Sequence, residues 1–142
     1  MEVWEVVARE SIRDVVTRYN SNGDSGRFDQ LVDLFAPDAV MELPARTCTG
    51  RAEILSIFTG VQERVRAGDA PAYVRHYTAT HQIDLVDETH ATGRCYFAVL
   101  TPAGLDHWGR YVDRYRVVDG RWRFAFRRVT VDGAVEGSVF AS

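Results

Sequence analysis

Ala72-Tyr73-Val74-Arg75-His76-Tyr77-Thr78-Ala79-Thr80-His81 marks the point where the chain changes period. Aromatic, β-branched and short polar side chains follow one another there without helical spacing, which reads as a β-strand. Before it, apolar residues recur at helical intervals; after it, the chain reads as further sheet. Residues two apart on a strand share a face. Val74, His76, Thr78, Thr80 and Gln82 therefore fall on one side, and Tyr73, Arg75, Tyr77, His81, Ile83 and Leu85 on the other. His76 is expected to project into a pocket that the preceding helices close.

Upstream, Trp4, Val7, Ala8, Ile12, Val15, Val16 and Tyr19 form a helical stripe, with Arg9, Glu10, Arg13, Asp14 and Arg18 on the solvated faces. The breaker cluster Asn20-Ser21-Asn22-Gly23 is expected to stop this helix. A second, shorter helix carries Phe28, Leu31, Val32 and Phe35 on one side, with Asp24 or Ser25 placed to cap it and Pro37 beyond its end. Ala39 to Leu43 reads as a short strand closed by Pro44. Thr49-Gly50 opens a third helix with Ile54, Leu55, Phe58, Val61 and Val65 inward, and Gly68-Asp69-Ala70-Pro71 ends it.

Downstream, Tyr73 to Val86, Thr89 to Leu100, His107 to Val118 and Arg121 to Asp132 read as long strands. Asp119-Gly120 between the last two is a two-residue hairpin signal. Trp108 and Tyr111 fall on opposite faces; Trp122, Phe124, Phe126 and Arg128 share a face, and Arg127 points the other way unless a bulge flips the register. His81 and His90 read as surface or turn residues and Trp122 as core. Three helices followed by a meander of strands predict an α+β fold, with the helices packed on one face of a strongly curved mixed or antiparallel sheet. Residues 1–142 are expected to form one domain, since 142 residues suit one core and no repeat or linker interrupts them.

The bulk chemistry excludes several function classes. With 46% hydrophobic and 26% charged residues and a net charge of -3, no basic field points to nucleic acid or an anionic membrane. No window approaches the roughly 18 apolar residues of a membrane span. Cys48 and Cys95 make neither a CxxC pair nor a ligand cluster, so neither a disulfide nor a metal site is expected, and a cytoplasmic location fits. The N-terminus, with Glu2, Glu5 and Glu10, does not read as a signal peptide.

Tyr19 with Asp24, Phe28-Asp29-Gln30-Leu31, Leu34-Phe35-Ala36-Pro37-Asp38-Ala39-Val40, Gly50-Arg51-Ala52-Glu53-Ile54, Arg75-His76-Tyr77, Gly109-Arg110-Tyr111-Val112-Asp113 and Asp119-Gly120-Arg121-Trp122 occur in that order. In this order and spacing the chain resembles the SnoaL-like family, in particular the branch with scytalone dehydratase and bile-acid 7α-dehydratase. The resemblance implies a cystatin-like cone, an α+β barrel with an apolar pocket at its open end. It also implies a lyase or isomerase of the dehydratase type, needing no metal or organic cofactor, that acts on a hydrophobic steroid-like or polyketide-like carbonyl compound. His76 and Asp24 match the family's histidine and aspartate pair, Tyr19 matches a pocket tyrosine, and Arg127, then Arg128, is nearest to a late arginine. Family members commonly pair through the sheet, so a homodimer is expected, with a trimer as the other possibility. The family also includes non-catalytic binding or accessory subunits, the alternative reading here.

The match has gaps. A second pocket histidine or acid of the family dehydratases aligns near Val99 to Thr101, and two pocket tyrosines align near Gly23 and Leu43, where no such groups stand. Tyr96, Tyr111 or His107 could stand in. Expected substrate-binding residues are Arg127, Tyr96, Trp108, Tyr111 and Phe58. The tail from Gly133 to Ser142, with Val135, Val139 and Phe140, is expected to cover the pocket or a neighbouring subunit. Neutral imidazole suits proton abstraction at pH 7, and a carboxylate on its other nitrogen fixes the tautomer. Asp24 takes that role towards His76, and Tyr19 or Arg127 could donate to the enolate oxygen.

Overall fold

The computed structural model describes residues 1–138 and 140. The chain runs α1 (Val3–Asp24), α2 (Phe28–Val32), β1 (Phe35–Glu42), β2 (Thr47–Thr49), α3 (Gly50–Arg66), β3 (Arg75–Leu85), β4 (His90–Thr101), β5 (Gly104–Val118) and β6 (Arg121–Ala134). The strands form one six-stranded sheet in the order β2-β1-β6-β5-β4-β3. β1 lies parallel to β6 and every other pair is antiparallel, so the sheet is mixed. Helices cover one face, which makes the α+β architecture that the change of period foretells.

The inner face is set by β4, whose Ala91, Cys95, Phe97 and Val99 alternate with exposed or half-buried neighbours. Ile12, Val15, Val16 and Tyr19 of α1, Leu31 of α2 and Ile54 of α3 complete the core against it. Asp119 and Gly120 both take positive φ, 51° and 76°, the geometry a tight turn needs between β5 and β6.

Several local expectations are corrected. α1 does not stop at Asn20 but continues through Gly23 to Asp24. The polar cluster is tolerated because Asn20 and Asn22 are buried and the Asn22 side chain accepts from Arg27 Nε at 2.9 Å. Gly23 has its own reason: a Cβ there would meet Leu31 at 3.1 Å. The N-cap of α2 is Arg27, so Asp24 and Ser25 do not cap it. Phe35 and Pro37 belong to β1, where the register against β6 shifts between Phe35 and Val40, so the proline falls in the irregular part of the ladder. Trp4, Val7 and Val65 were expected inward but are exposed. Val139 lies outside the described residues.

Bulges decide which side chains face inward. In β3, Thr80 and His81 together oppose Cys95, and Thr80 has φ 57°. In β6, Ala125 is extra against the Arg114–Tyr115 step, and Asp132 against the Trp108–Gly109 step. In β5, Asp106 is extra against the Val99–Leu100 step. Each inserted residue reverses the alternation beyond it. His81 and Ile83 thereby come round to the inner face that His76 occupies, and Arg127 joins Phe124.

Candidate functional site

Asp24 ends α1 and His76 begins β3, 52 residues apart in sequence, and the fold brings them into contact. Asp24 Oδ1 lies 2.6 Å from His76 Nδ1, and Oδ2 accepts the His76 backbone N–H at 2.8 Å. One carboxylate thus fixes both the strand and the ring. The His76 side chain keeps 24% of its surface exposed and Asp24 11%. With Nδ1 taken by the carboxylate, Nε2 is the nitrogen left for other chemistry.

Phe97 forms the floor beside this pair. Its ring lies 6.4 Å from that of His76, 6.0 Å from that of His107, and stacks on Tyr111 at 4.6 Å. Tyr111 packs edge-on to Tyr19 at 5.9 Å, and Tyr19 likewise to Phe58. Phe58 is half-buried on α3.

Deeper on the same face lies a sealed ion pair. Arg127 Nε and Nη2 donate to the two oxygens of Asp113 at 2.8 and 3.0 Å, with both side chains fully buried. The guanidinium lies over the rings of Tyr111, Tyr19 and Phe124 at 3.8, 4.3 and 4.4 Å. Tyr115 donates to Asp113 at 2.8 Å, and its hydroxyl lies 3.2 Å from His81 Nε2. Burial opposes the charge on Arg127, but Asp113 outweighs it and holds the guanidinium above its ordinary range. Burial pushes the Tyr19 hydroxyl up to about 12 against the pull of Arg127, so it remains a donor at neutral pH. Burial also raises Tyr111, and it lowers His81 towards the neutral imidazole. Arg127 Nη1 and Asn20 Nδ2 are buried donors without a partner among the described residues.

The expected site residues therefore divide. Asp24, His76, Tyr19, Tyr111, Phe58 and Arg127 share the helix-covered side. Tyr96 and Trp108 lie on the opposite face, 57% and 38% exposed, where with Tyr77, Ala79 and Asp132 they line a shallow groove of about 330 Å³. Period two puts Tyr96 out of phase with Phe97, so it cannot join the His76 side. Arg128 is also outward and pairs with Glu42 at 2.7 Å. A larger cleft, about 430 Å³, lies between α1, α2 and the β5–β6 turn and is lined by polar groups such as Arg18, Asp33, Arg121 and Arg123. Neither cleft includes Asp24 or His76, so the closed pocket expected around His76 is not either of these. Asp113 was not among the expected site residues, and His81, expected at the surface, lies against Tyr115; a strand acid opposite an inward arginine is the signal that points to Asp113.

A SnoaL-like domain model matches residues 4–128. The chain belongs to the SnoaL-like family. Similar solved structures agree on this fold. One is a protein of Novosphingobium aromaticivorans provisionally named a scytalone dehydratase, 22% identical, with a TM-score of 0.81 over 96% of this chain and 91% of that one. Another is the LinA-type3 hexachlorocyclohexane dehydrochlorinase of Novosphingobium barchaimii, 16% identical, with a TM-score of 0.80 over 96% of each chain. A third is the β subunit of a provisionally named aromatic-ring-hydroxylating dioxygenase of N. aromaticivorans, 18% identical, with a TM-score of 0.75 over 94% and 95%. No curated protein matches the chain in sequence. SnoaL-like and related folds include dehydratases and a dehydrochlorinase as well as this subunit, so the fold leaves the reaction to the side chains. Among the described residues no helix is long and apolar enough to cross a membrane, and no group of three or more His, Cys, Asp or Glu could hold a metal ion.

Proposed function

We propose that this SnoaL-like protein is a lyase or isomerase of the dehydratase type, in which His76 removes a proton beside the carbonyl of a hydrophobic cyclic ketone or hydroxy-ketone of steroid or polyketide type. The observation that carries this reading is the double hold of Asp24 on the Nδ1 and the backbone N–H of His76. Such a hold presents Nε2 as the base and stabilises the imidazolium that forms. The step draws on the imidazole alone, so it calls for no metal or organic cofactor. Tyr19, kept protonated, is the proposed donor to the enolate oxygen, with Arg127 behind its ring as fixed positive charge. Arg127 acts through the tyrosines and not by touching ligand, because it is fully buried.

The test uses α-tetralone in D₂O, with loss of its α-proton signal followed by NMR. His76→Ala and Asp24→Asn are each expected to slow exchange by about 10²–10⁴-fold, the usual worth of a positioned base. Equal rates in the unaltered protein and both variants would remove the dyad from the mechanism. A second reading, a non-catalytic binding or accessory protein, draws support from the absence of Asp24 and His76 from both of the clefts described above. Ligand bound tightly, recovered undeuterated, and held equally by His76→Ala would favour it.

The outward aromatic groove also supports a homodimer. Tyr77, Tyr96 and Trp108 expose 61%, 57% and 38% of their surface on one sheet face, an apolar patch of the kind that a second copy covers. Light scattering is expected to give twice the chain mass, and Trp108→Asp with Tyr96→Asp to give the monomer.

A further inference from the structure

His107 sits in an Asp–His pair that the proposed reaction has not used. Adjacent strand residues ordinarily point to opposite faces. Asp106, however, is the extra residue of the β5 bulge, and its carboxylate comes round beside its neighbour. Asp106 Oδ2 lies 2.7 Å from His107 Nδ1 and accepts from Ser138 Oγ at 2.6 Å, while the Asp106 carbonyl accepts the Val135 N–H at 2.9 Å. The tail therefore clamps the carboxylate, and the carboxylate holds the ring. The two side chains are 12% and 10% exposed. The free nitrogen, Nε2, has no partner among the described residues and is not fully sealed from solvent.

His107 also faces His76. Val99 pairs with His76 on one side and with His107 on the other, so the two histidines flank one inward β4 position. Two strand spacings put their backbones about 9.5 Å apart across Val99. Both rings touch Phe97, and Phe140 covers His107 at 5.8 Å.

We propose that His107, held by Asp106, is the general acid that protonates the departing hydroxyl of a β-hydroxy carbonyl substrate. This rests on the base role given to His76. His76 Nε2 takes the α-proton, the C–H electrons form the C=C bond, and the C–O bond breaks. Its electrons and the His107 Nε2 proton make water. Solvent then returns His76 to neutral and His107 to imidazolium, so the net change is substrate to enone plus water. A poor leaving group such as hydroxide needs that proton; a carboxylate leaving group does not.

Three α-tetralone probes separate the roles: the parent ketone for α-proton exchange, the β-hydroxy derivative and the β-acetoxy derivative, the last two read as α-naphthol fluorescence. His107→Gln is expected to leave exchange and acetate loss about unchanged and to slow water loss by about 10²–10⁴-fold. Asp106→Asn, which keeps the ring but loosens its orientation, is expected to slow water loss alone, by a smaller factor, and serves if the glutamine variant does not fold. Equal slowing of both eliminations, no slowing of either, or loss of exchange in a folded variant overturns the acid role. If the unaltered protein exchanges the ketone yet does not speed water loss, this inference falls while the base reading stands. If it does not exchange the ketone at all, both fall.

Discussion

Arg127–Asp113 and Asp24–His76 are two acid–base contacts on one face of one sheet. The first is fully buried, bidentate and walled by three aromatic rings. The second leaves about a quarter of its imidazole surface exposed. Burial fixes the charges of the first pair, because neither partner can lose its charge without stranding the other in a dry interior. Exposure leaves the second pair open to solvent. The same sheet thus carries one contact sealed from water and one that the proposed reaction would use, separated by how much water reaches each.

The sharpest break of that contrast is Asp113→Ala, which strands Arg127 and leaves Tyr115 without its acceptor. We expect a loss of about 3–5 kcal/mol, seen as a melting midpoint lower by roughly 10–17 degrees. Asp113→Asn with Arg127→Met should recover much of it, and an unrecovered double variant would show that the pair's charges are not what matters. His76→Ala is next: with about a quarter of its side-chain surface already in water, it should lower stability by only about 0.5–1.5 kcal/mol in urea unfolding, despite the large expected loss of exchange activity.

The effect of pH on His81 is smaller and tests the sealed side. Burial lowers its folded pKa below the unfolded value, so at pH below about 6.5 the unfolded chain binds the extra proton first. Stability should therefore fall as pH drops from about 6.5 through the folded pKa, and level off below it. His81→Gln should flatten that part of a urea-midpoint profile. The smallest effect belongs to Arg128→Ala, which removes an exposed pair with Glu42 and should change stability by about 0.2–1 kcal/mol, less in high salt.

The change of period at Tyr73 and the Asp119-Gly120 hairpin were legible because each rests on local rules, alternation and turn chemistry. The Asp24–His76 pairing was reached only through family resemblance, since nothing local joins residues so far apart. Arg127 was ambiguous for a physical reason: strict alternation turns it outward, and only the bulge at Ala125 turns it in. Asp106 and His107 were overlooked as a pair because neighbours on a regular strand do not face each other. Tyr96 and Trp108 were assigned by residue type, whereas strand phase puts them outside. The helix through Asn20-Ser21-Asn22-Gly23 was hidden because burial against α2 and α3 outweighs the breaker tendency of these residues.

The inserted residues Thr80, Asp106, Ala125 and Asp132 carry a lesson for comparing distant relatives. A pairwise match that runs without a gap through β3, β5 or β6 will, past any relative lacking the insertion, equate an inward side chain with an outward one. His81, His107 and Arg127 would then be assigned to the wrong neighbour by a single position. Kinship across this fold is better judged by superposing bends in the strands first and counting letters afterwards.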